Sequence, residues 1–550
     1  MTDAPATSPK ICACREVHGF DCQFLDAPAE FPFADKDWCR FHLPLLDGAG
    51  NPSPKAEWKV GSKDWGNFEE EILQQLSTSL PLDDKQDGSA DFRQVVFPDD
   101  FSTTKLLGDK INRAYYANYT GATFGNNAEF SDMNFEMSSC FSGTVFGKGA
   151  KFTQTVFSNG ADFSNAAFGG NVDFSKARFK TGVNFVEVIF MGVANFTEAS
   201  FGKIANFWYA KFFESAFFTD ARFVEEARFL RVKIKQIALF NKAQFGKGAD
   251  FSTAEFCEEA VFSDAIFGNL ARFNKAKFHG SAIFSDTRFG DECSFSKATF
   301  YERASFSARK AKQALFDFHN VNFTDVKFCG KCSFENRAFI AGTSFDNVVF
   351  KDLVIFHGSD FHEGMSFHNT DFLKTKGAND ADTAKLEQAY RTLKYRMENL
   401  RARNAEAMFF AKEMDCRRQR SDIPRLERWA ASLYKTFSQY GQSLSRPLYW
   451  LGGITVFMGA LYFYLLWAMA SPPPIHIWGG APELTSVITF TLEQMFRPFF
   501  VWSTSMTESS LGFVKAHPLL FPLFASFQSL ATIALLTLFL LALRRRFKMD

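Results

Sequence analysis

The chain lacks a net charge. Its 61 basic and 61 acidic residues cancel, so there is no global field to attract nucleic acid. The first residues hold no apolar run of the signal-peptide kind, and the N-terminal part is expected to stay in the cytosol. Cysteine is sparse, ten in 550 residues. Without secretion these do not suggest a disulfide framework; they are thiols, core packers or metal ligands. No nucleophile with a base beside it can be traced, nor a phosphate-cradling loop, nor a metal site with an open position. An enzyme is therefore not expected, and no catalytic residue is assigned.

Phenylalanine is abundant, 71 in all. A run extends from about Phe124 to Phe372. Its central part reads Phe152, Phe157, Phe163, Phe168, Phe174, Phe179, Phe185, Phe190, Phe196, Phe201, Phe207, Phe212. The spacing alternates five and six, an 11-residue repeat with two phenylalanines. Two positions before most of them stands a small residue, as at Ala161, Ala166, Val172, Ala177, Val183, Ala194, Ala199, Ala205 and Ala210. A short fixed period marks a solenoid, and neither a helical nor a strand period explains it over this length. It predicts a coil of very short strands and tight turns, stacked about 4.8 Å apart, with aromatic rings filling the axis.

The pattern, as in Ala-Asp-Phe-Ser-Asn-Ala-Ala-Phe from 161 to 168, resembles the pentapeptide-repeat family. The resemblance covers about half of the chain, 124–374, and implies a right-handed, roughly square parallel β-helix. Strict spacing in that family is five. Here every second unit has six, and the sixth residue reads as a bulged corner, often glycine (Gly147, Gly169, Gly202, Gly246, Gly268). Ile234 replaces one phenylalanine. The ladder loses phase between Phe306 and Phe323, which predicts a kink or protruding loop near 307–322.

Residues 1–123 read as a cap region, which an exposed first coil requires. Trp38, Trp58 and Trp65 point to a folded unit, and a short helix is predicted from Asn67 to Ser79. Cys12, Cys14, Cys22, Cys39 and His42 could supply a tetrahedral structural zinc site; the alternative is a set of reduced thiols in an irregular cap. Cys293 and Cys332 fall where the repeat wants a small interior residue, which explains half of the Cys329-x-x-Cys332 pair as core filling. His357, His362 and His368 lie on the closing coils and read as polar surface.

Past Phe372 the chemistry becomes helical. Leu386, Ala389, Tyr390, Leu393, Met397 and Leu400 share one helix face, and 380–440 reads as an amphipathic linker with a hairpin at Arg403-Asn404. Pro424 breaks it. In the next segment Trp429, Leu433, Tyr434 and Phe437 fall to one side with Arg425, Arg428 and Lys435 nearby, the pattern of a helix at a membrane interface. Residues 445–550 form a membrane module, with apolar spans at 447–470 and 519–543, each long enough for a bilayer. Basic residues crowd before the first span (Arg417, Arg418, Arg420, Arg425, Arg428, Lys435, Arg446) and after the second (Arg544, Arg545, Arg546, Lys548). The intervening loop holds only Arg497 and Lys515. Both termini are then expected in the cytoplasm, with a multi-pass protein of the plasma (inner) membrane.

Residues 483–500 are apolar and hydroxyl-rich, too short to span, and end at Arg497-Pro498. They read as a re-entrant element, tolerated at membrane depth only where protein or a water-filled cavity covers it. A span, a short helix with a loop, and a second span resemble the two-transmembrane pore-loop channels. That resemblance implies a pore built by several copies, with candidate pore residues Thr489, Thr491, Glu493, Gln494 and Arg497. The family's Thr-Val-Gly-Tyr-Gly is missing; Glu493-Gln-Met-Phe-Arg-Pro-Phe499 stands there instead, so potassium selectivity is not expected. A ring of Glu493 favours cations and a ring of Arg497 anions. On the second span Gln528, Ser529 and Thr532 form a polar stripe that lines a pore or bonds helices together. The expectation is an oligomeric, tetrameric ion channel with a cytosolic solenoid for gating, sensing or assembly. Its partners are the lipid bilayer, copies of itself and permeating ions, with no nucleic acid. The alternative is a membrane-anchored scaffold presenting a protein-binding surface.

Overall fold

The computed structural model describes residues 13–18, 29, 31–78, 89–103, 113–114, 116–309, 317–362, 365–372, 380–469, 484–496 and 519–547. The chain divides into two units, Met1–Lys374 and Thr375–Asp550, and each is described by itself.

The first unit is a parallel β-solenoid of about 11 turns. Strand Val145–Phe146 pairs with Ala167–Phe168, which pairs with Ile189–Phe190, so a coil takes two 11-residue repeats. Its sides build parallel sheets of twelve, ten, nine and seven strands. Most strands are two residues long, because the chain must turn at every side. In most strands one residue is buried and its neighbour is not, and the buried positions continue into the turns. Phe163, Phe174 and Phe185 are fully buried, as are the small residues Ala166, Ala177 and Val188. Rings stack along each column, Phe163 on Phe185 at 5.1 Å and Phe174 on Phe196 at 5.0 Å. Between columns they meet edge to face, Phe152 and Phe163 at 5.6 Å and 90°. Both arrangements suit the ring quadrupole. Ile234 fills its column fully buried.

The five-residue sides carry a tight turn. Ala166 N donates to Phe163 O at 3.0 Å, and the second of the two residues between, Asn165, has φ +57°. The same left-handed position recurs every 11 residues, at Lys176, Glu187, Glu198, Tyr209, Asp220, Arg231, Lys242 and Thr253. The six-residue sides carry wider bends. There Gly202 allows a close approach: a Cβ on it would lie 2.0 Å from Lys180 O. No proline occurs between Pro98 and Pro424, which suits a ladder that uses its backbone N–H groups on every side.

Pairing begins at Ser89–Asp91, ahead of Phe124. Phe92, Phe97, Phe101 and Tyr119 are buried there, and their irregular spacing conceals the first coils in the sequence. The cap closes over them. Val96 N donates to Phe41 O at 2.8 Å, and Phe68 of helix α2 (Lys63–Thr78) meets Phe97 edge-on at 5.9 Å. The short helix α1 (Cys14–His18) precedes it. Trp38, Trp58 and Trp65 are all buried.

At 307–322 the ladder is interrupted on one side only. Phe306 remains stacked between Phe284 (4.9 Å) and Phe334 (5.1 Å). The break falls on the column through Phe289, Phe318 and Phe339, whose rings tilt by 44° and 46°. The nine-stranded sheet ends at Arg288–Phe289, and a separate three-stranded sheet takes over from Phe318–His319.

The second unit is helical. Helices α3 (Asp380–Asn399) and α4 (Arg403–Gln419) form the expected hairpin, burying Leu386, Tyr390, Leu393 and Met397 against Phe409 and Cys416. Glu387 and Glu413 are buried within it. Arg391 Nε and Lys394 Nζ donate to Glu413 at 2.9 and 2.8 Å, and Arg420 Nη1 to Glu387 at 2.7 Å. Pro424 caps α5 (Arg425–Ser438). Three further helices follow: α6 (Ser445–Met469), α7 (Leu484–Phe496) and α8 (Leu520–Phe547).

Candidate functional site

Ser445–Leu465 of α6 and Pro522–Arg544 of α8 are long and apolar enough to cross a membrane. Their apolar side chains lie mostly outward: Val456 is 74% exposed, Phe457 66% and Leu530 67%. A core helix of a water-soluble domain hides such groups; helices solvated by lipid display them. Helix α7 has 13 residues and is about 20 Å long, short of the roughly 30 Å hydrocarbon core. Its register packs Val487 and Phe490 against Met458, Tyr462 and Ala525.

A polar seam fixes α7 in place. Tyr462 Oη donates to Gln528 Oε1 at 3.1 Å, and Gln528 Nε2 donates to Thr491 O at 2.9 Å. Ser529 Oγ donates to Gln494 O at 3.0 Å, near the end of α7 where helical carbonyls lose their own partners. Thr532 Oγ1 donates to Gln528 O at 2.9 Å. Gln528 and Thr532 are fully buried, so within one chain the stripe on the second span holds the helices together. At Gly459 a Cβ would meet Thr491 Oγ1 at 3.4 Å, an ordinary contact.

The candidate pore residues divide between two faces of α7. Thr491 and Gln494 are buried in the seam. Thr489 is exposed and Glu493 half-buried on the other side, in line with exposed Thr485. Spaced by four, these three form one polar stripe beside the exposed apolar stripe of Leu484, Ile488 and Leu492. Arg497 lies outside the described residues. Tyr462 and Thr485 are additions that sequence reasoning missed. Thr485 is legible in hindsight from its spacing to Thr489, whereas Tyr462 carries no signal in an aromatic-rich span.

At the N-terminus the structure brings Cys39 and His42 together, Sγ to Nδ1 at 3.1 Å, both buried. Helix α1, which carries Cys14, adjoins this pair through Ala13 N to Asp37 O at 2.8 Å. Only the backbone of Cys14 is described, and Cys12 and Cys22 lie outside the described residues. Two facing donors of the right type suit two corners of a tetrahedral zinc site. Among the described residues no group of three ligands occurs. Cys293 and Cys332 are buried in the solenoid, and burial pushes the Cys293 thiol up to about 12. Cys329 is less buried than Cys332, so the C-x-x-C pair does not share one environment.

The solenoid also bears surface features. Glu255 lies between Lys233 and Lys277, each 2.9 Å away, and their hydrogen bonds hold its carboxyl down at about 2. On the ten-stranded sheet, Phe217, Leu239, Val261 and Ile283 stack coil over coil on the outer side, each half-exposed. Two stretches of the solenoid, residues 141–189 and 262–308, match the family model for pentapeptide repeats. These two stretches are pentapeptide repeats. No curated protein and no solved structure matches the chain. Along the solenoid the extra residue of every second unit enters a wide bend, while the five-residue units take the tight left-handed turn.

Proposed function

We propose that this protein is a subunit of a membrane pore: copies of its helical unit surround an ion path, and the pentapeptide-repeat solenoid gates, senses or assembles them from the cytoplasmic side. The supporting observation is α7. It is too short to span, is bonded between two candidate spans, and carries exposed Thr485 and Thr489 in line with half-buried Glu493. Polar side chains at membrane depth need water or other polar groups. Two spans and a half-length helix cannot enclose a path alone, so several copies, four on the pore-loop analogy, must share the axis. Glu493 then forms a ring that favours cations. No catalytic step is part of this function, and both termini face the cytoplasm.

The test is ion flux through liposomes holding the full-length protein, with reversal potential measured in asymmetric salt. A cation-selective current that loses selectivity in Glu493→Gln is the expected result. Silence in both the full chain and a chain lacking residues 1–375 would overturn the proposal. A membrane-anchored scaffold is the second reading. It is favoured by the outward column Phe217–Leu239–Val261–Ile283, an apolar strip on a sheet face that suits a protein partner.

A further inference from the structure

We propose that α5 is a second membrane contact of this chain, lying in the headgroup region of an anionic leaflet. Its large apolar side chains lie on its exposed face, unlike those of a helix packed on a core. The polar side turns into the protein. Glu427 Oε1 accepts from Arg417 Nε at 2.5 Å, and Asp415 accepts from Lys435 Nζ and Tyr440 Oη, each at 2.8 Å. The apolar side turns out. Leu426 is 83% exposed, Trp429 70% and Leu433 49%, and their spacings of three and four make one stripe. The stripe runs toward Phe437, whose ring meets Trp450 of α6 edge-on at 5.1 Å. Leu448 and Tyr449, at the same end of α6, are also exposed. The patch is thus continuous with a helix long and apolar enough to cross the bilayer.

Charge selects the occupant. Arg417 and Lys435 are neutralised by Glu427 and Asp415. Arg425 and Arg446 are exposed and Arg428 is half-buried, and none of the three forms an ion pair with the described residues; Arg428 Nε has no hydrogen-bond partner. Three uncompensated cations beside a Leu–Trp–Leu stripe match a surface of anionic phospholipid. A second copy of α5 laid on the same stripe would bring like charges together. Lipid contact at α5 is tied through Asp415 to α4, and through Glu413 to Arg391 and Lys394 of α3.

The test uses full-length protein in phosphatidylcholine vesicles with and without phosphatidylserine, the lipids brominated either near the headgroup or near the chain terminus. The contribution of Trp429 is the difference in fluorescence between the wild type and Trp429→Phe. Headgroup-proximal bromine should quench it most, and more strongly with phosphatidylserine. Arg425→Gln with Arg428→Gln should remove the phosphatidylserine dependence. Leu426→Asp with Leu433→Asp should abolish the shallow quenching without lowering the melting temperature. Quenching absent, strongest from the chain terminus, or indifferent to phosphatidylserine overturns the proposal. A fall in melting temperature of the aspartate variant also overturns it, since the stripe would then be packed on protein. The outcome does not depend on whether the protein conducts ions.

Discussion

Replacing Arg337 by methionine tests how the solenoid tolerates its one-sided break. Arg337 is fully buried in a column that also holds Met133, Thr155, Ala177, Ala199, Ala221, Ala243, Ala265, Thr287 and Ser359. The chain next to the break leaves that column, and Arg309 N bonds to Asp286 instead. Among the described residues no backbone N–H bonds Phe306 O or Thr287 O, and Arg337 supplies a donor to both. Its Nη1 donates to Thr287 O at 2.7 Å and its Nε to Phe306 O, while Nη2 donates to Phe284 O at 3.0 Å. Its guanidinium lies over the Phe318 ring at 4.9 Å. Burial lowers its pKa to about 9, with Asp286 and Asp317 pulling the other way. A buried carbonyl left unbonded costs about 1–3 kcal/mol. Phe284 O keeps a bond from Thr287 N; methionine keeps much of the volume and avoids burying a charge, so the net loss for the other two carbonyls is about 2–5 kcal/mol. At roughly 2–4 °C per kcal/mol, melting followed by circular dichroism should fall by on the order of 10 °C. Arg309→Met is the control. Arg309 is 60% exposed in its ion pairs, and its loss should matter by less than about 1 kcal/mol. An unchanged melting temperature in Arg337→Met, or equal losses in both variants, would refute this account.

Other outcomes follow from the same contacts. Acid should weaken the α3–α4 hairpin. Burial alone would raise the Glu413 carboxyl, but hydrogen bonds from Lys394 and Arg391 outweigh it and leave it below its ordinary 4.5. Such a group stabilises above its unfolded pKa and loses that contribution as pH falls through the folded value; Glu413→Gln should flatten the acid limb of helix content measured by circular dichroism. Thr253→Asn should raise the solenoid's melting temperature, because a β-branched residue at φ +58° carries strain of about 1 kcal/mol that asparagine relieves. If the Cys39–His42 pair holds zinc, purified protein should contain the metal and lose it on Cys39→Ser, with the cap becoming protease-sensitive; metal-free protein with an equally resistant cap would remove zinc from the account.

The sequence alone determined the solenoid. Inward residues at a fixed spacing impose a period, and Phe152 to Phe212 display it without interruption. The hairpin was legible from one apolar face at helical spacing, and the short α7 and the two apolar helices from the lengths of their apolar runs. Tertiary structure decided what has no period. The left-handed positions from Asn165 to Thr253 carry almost any side chain, since coil geometry and the coils above and below impose the backbone. Arg337 stands where the repeat asks for alanine, and only the missing donors around Phe306 and Thr287 explain it. Gln528 and Ser529 read equally as pore lining or helix bonding until α7 places carbonyls beside them. The outward stripe of α5 depends on α4 taking its polar side, a pairing between helices that no spacing within either one encodes.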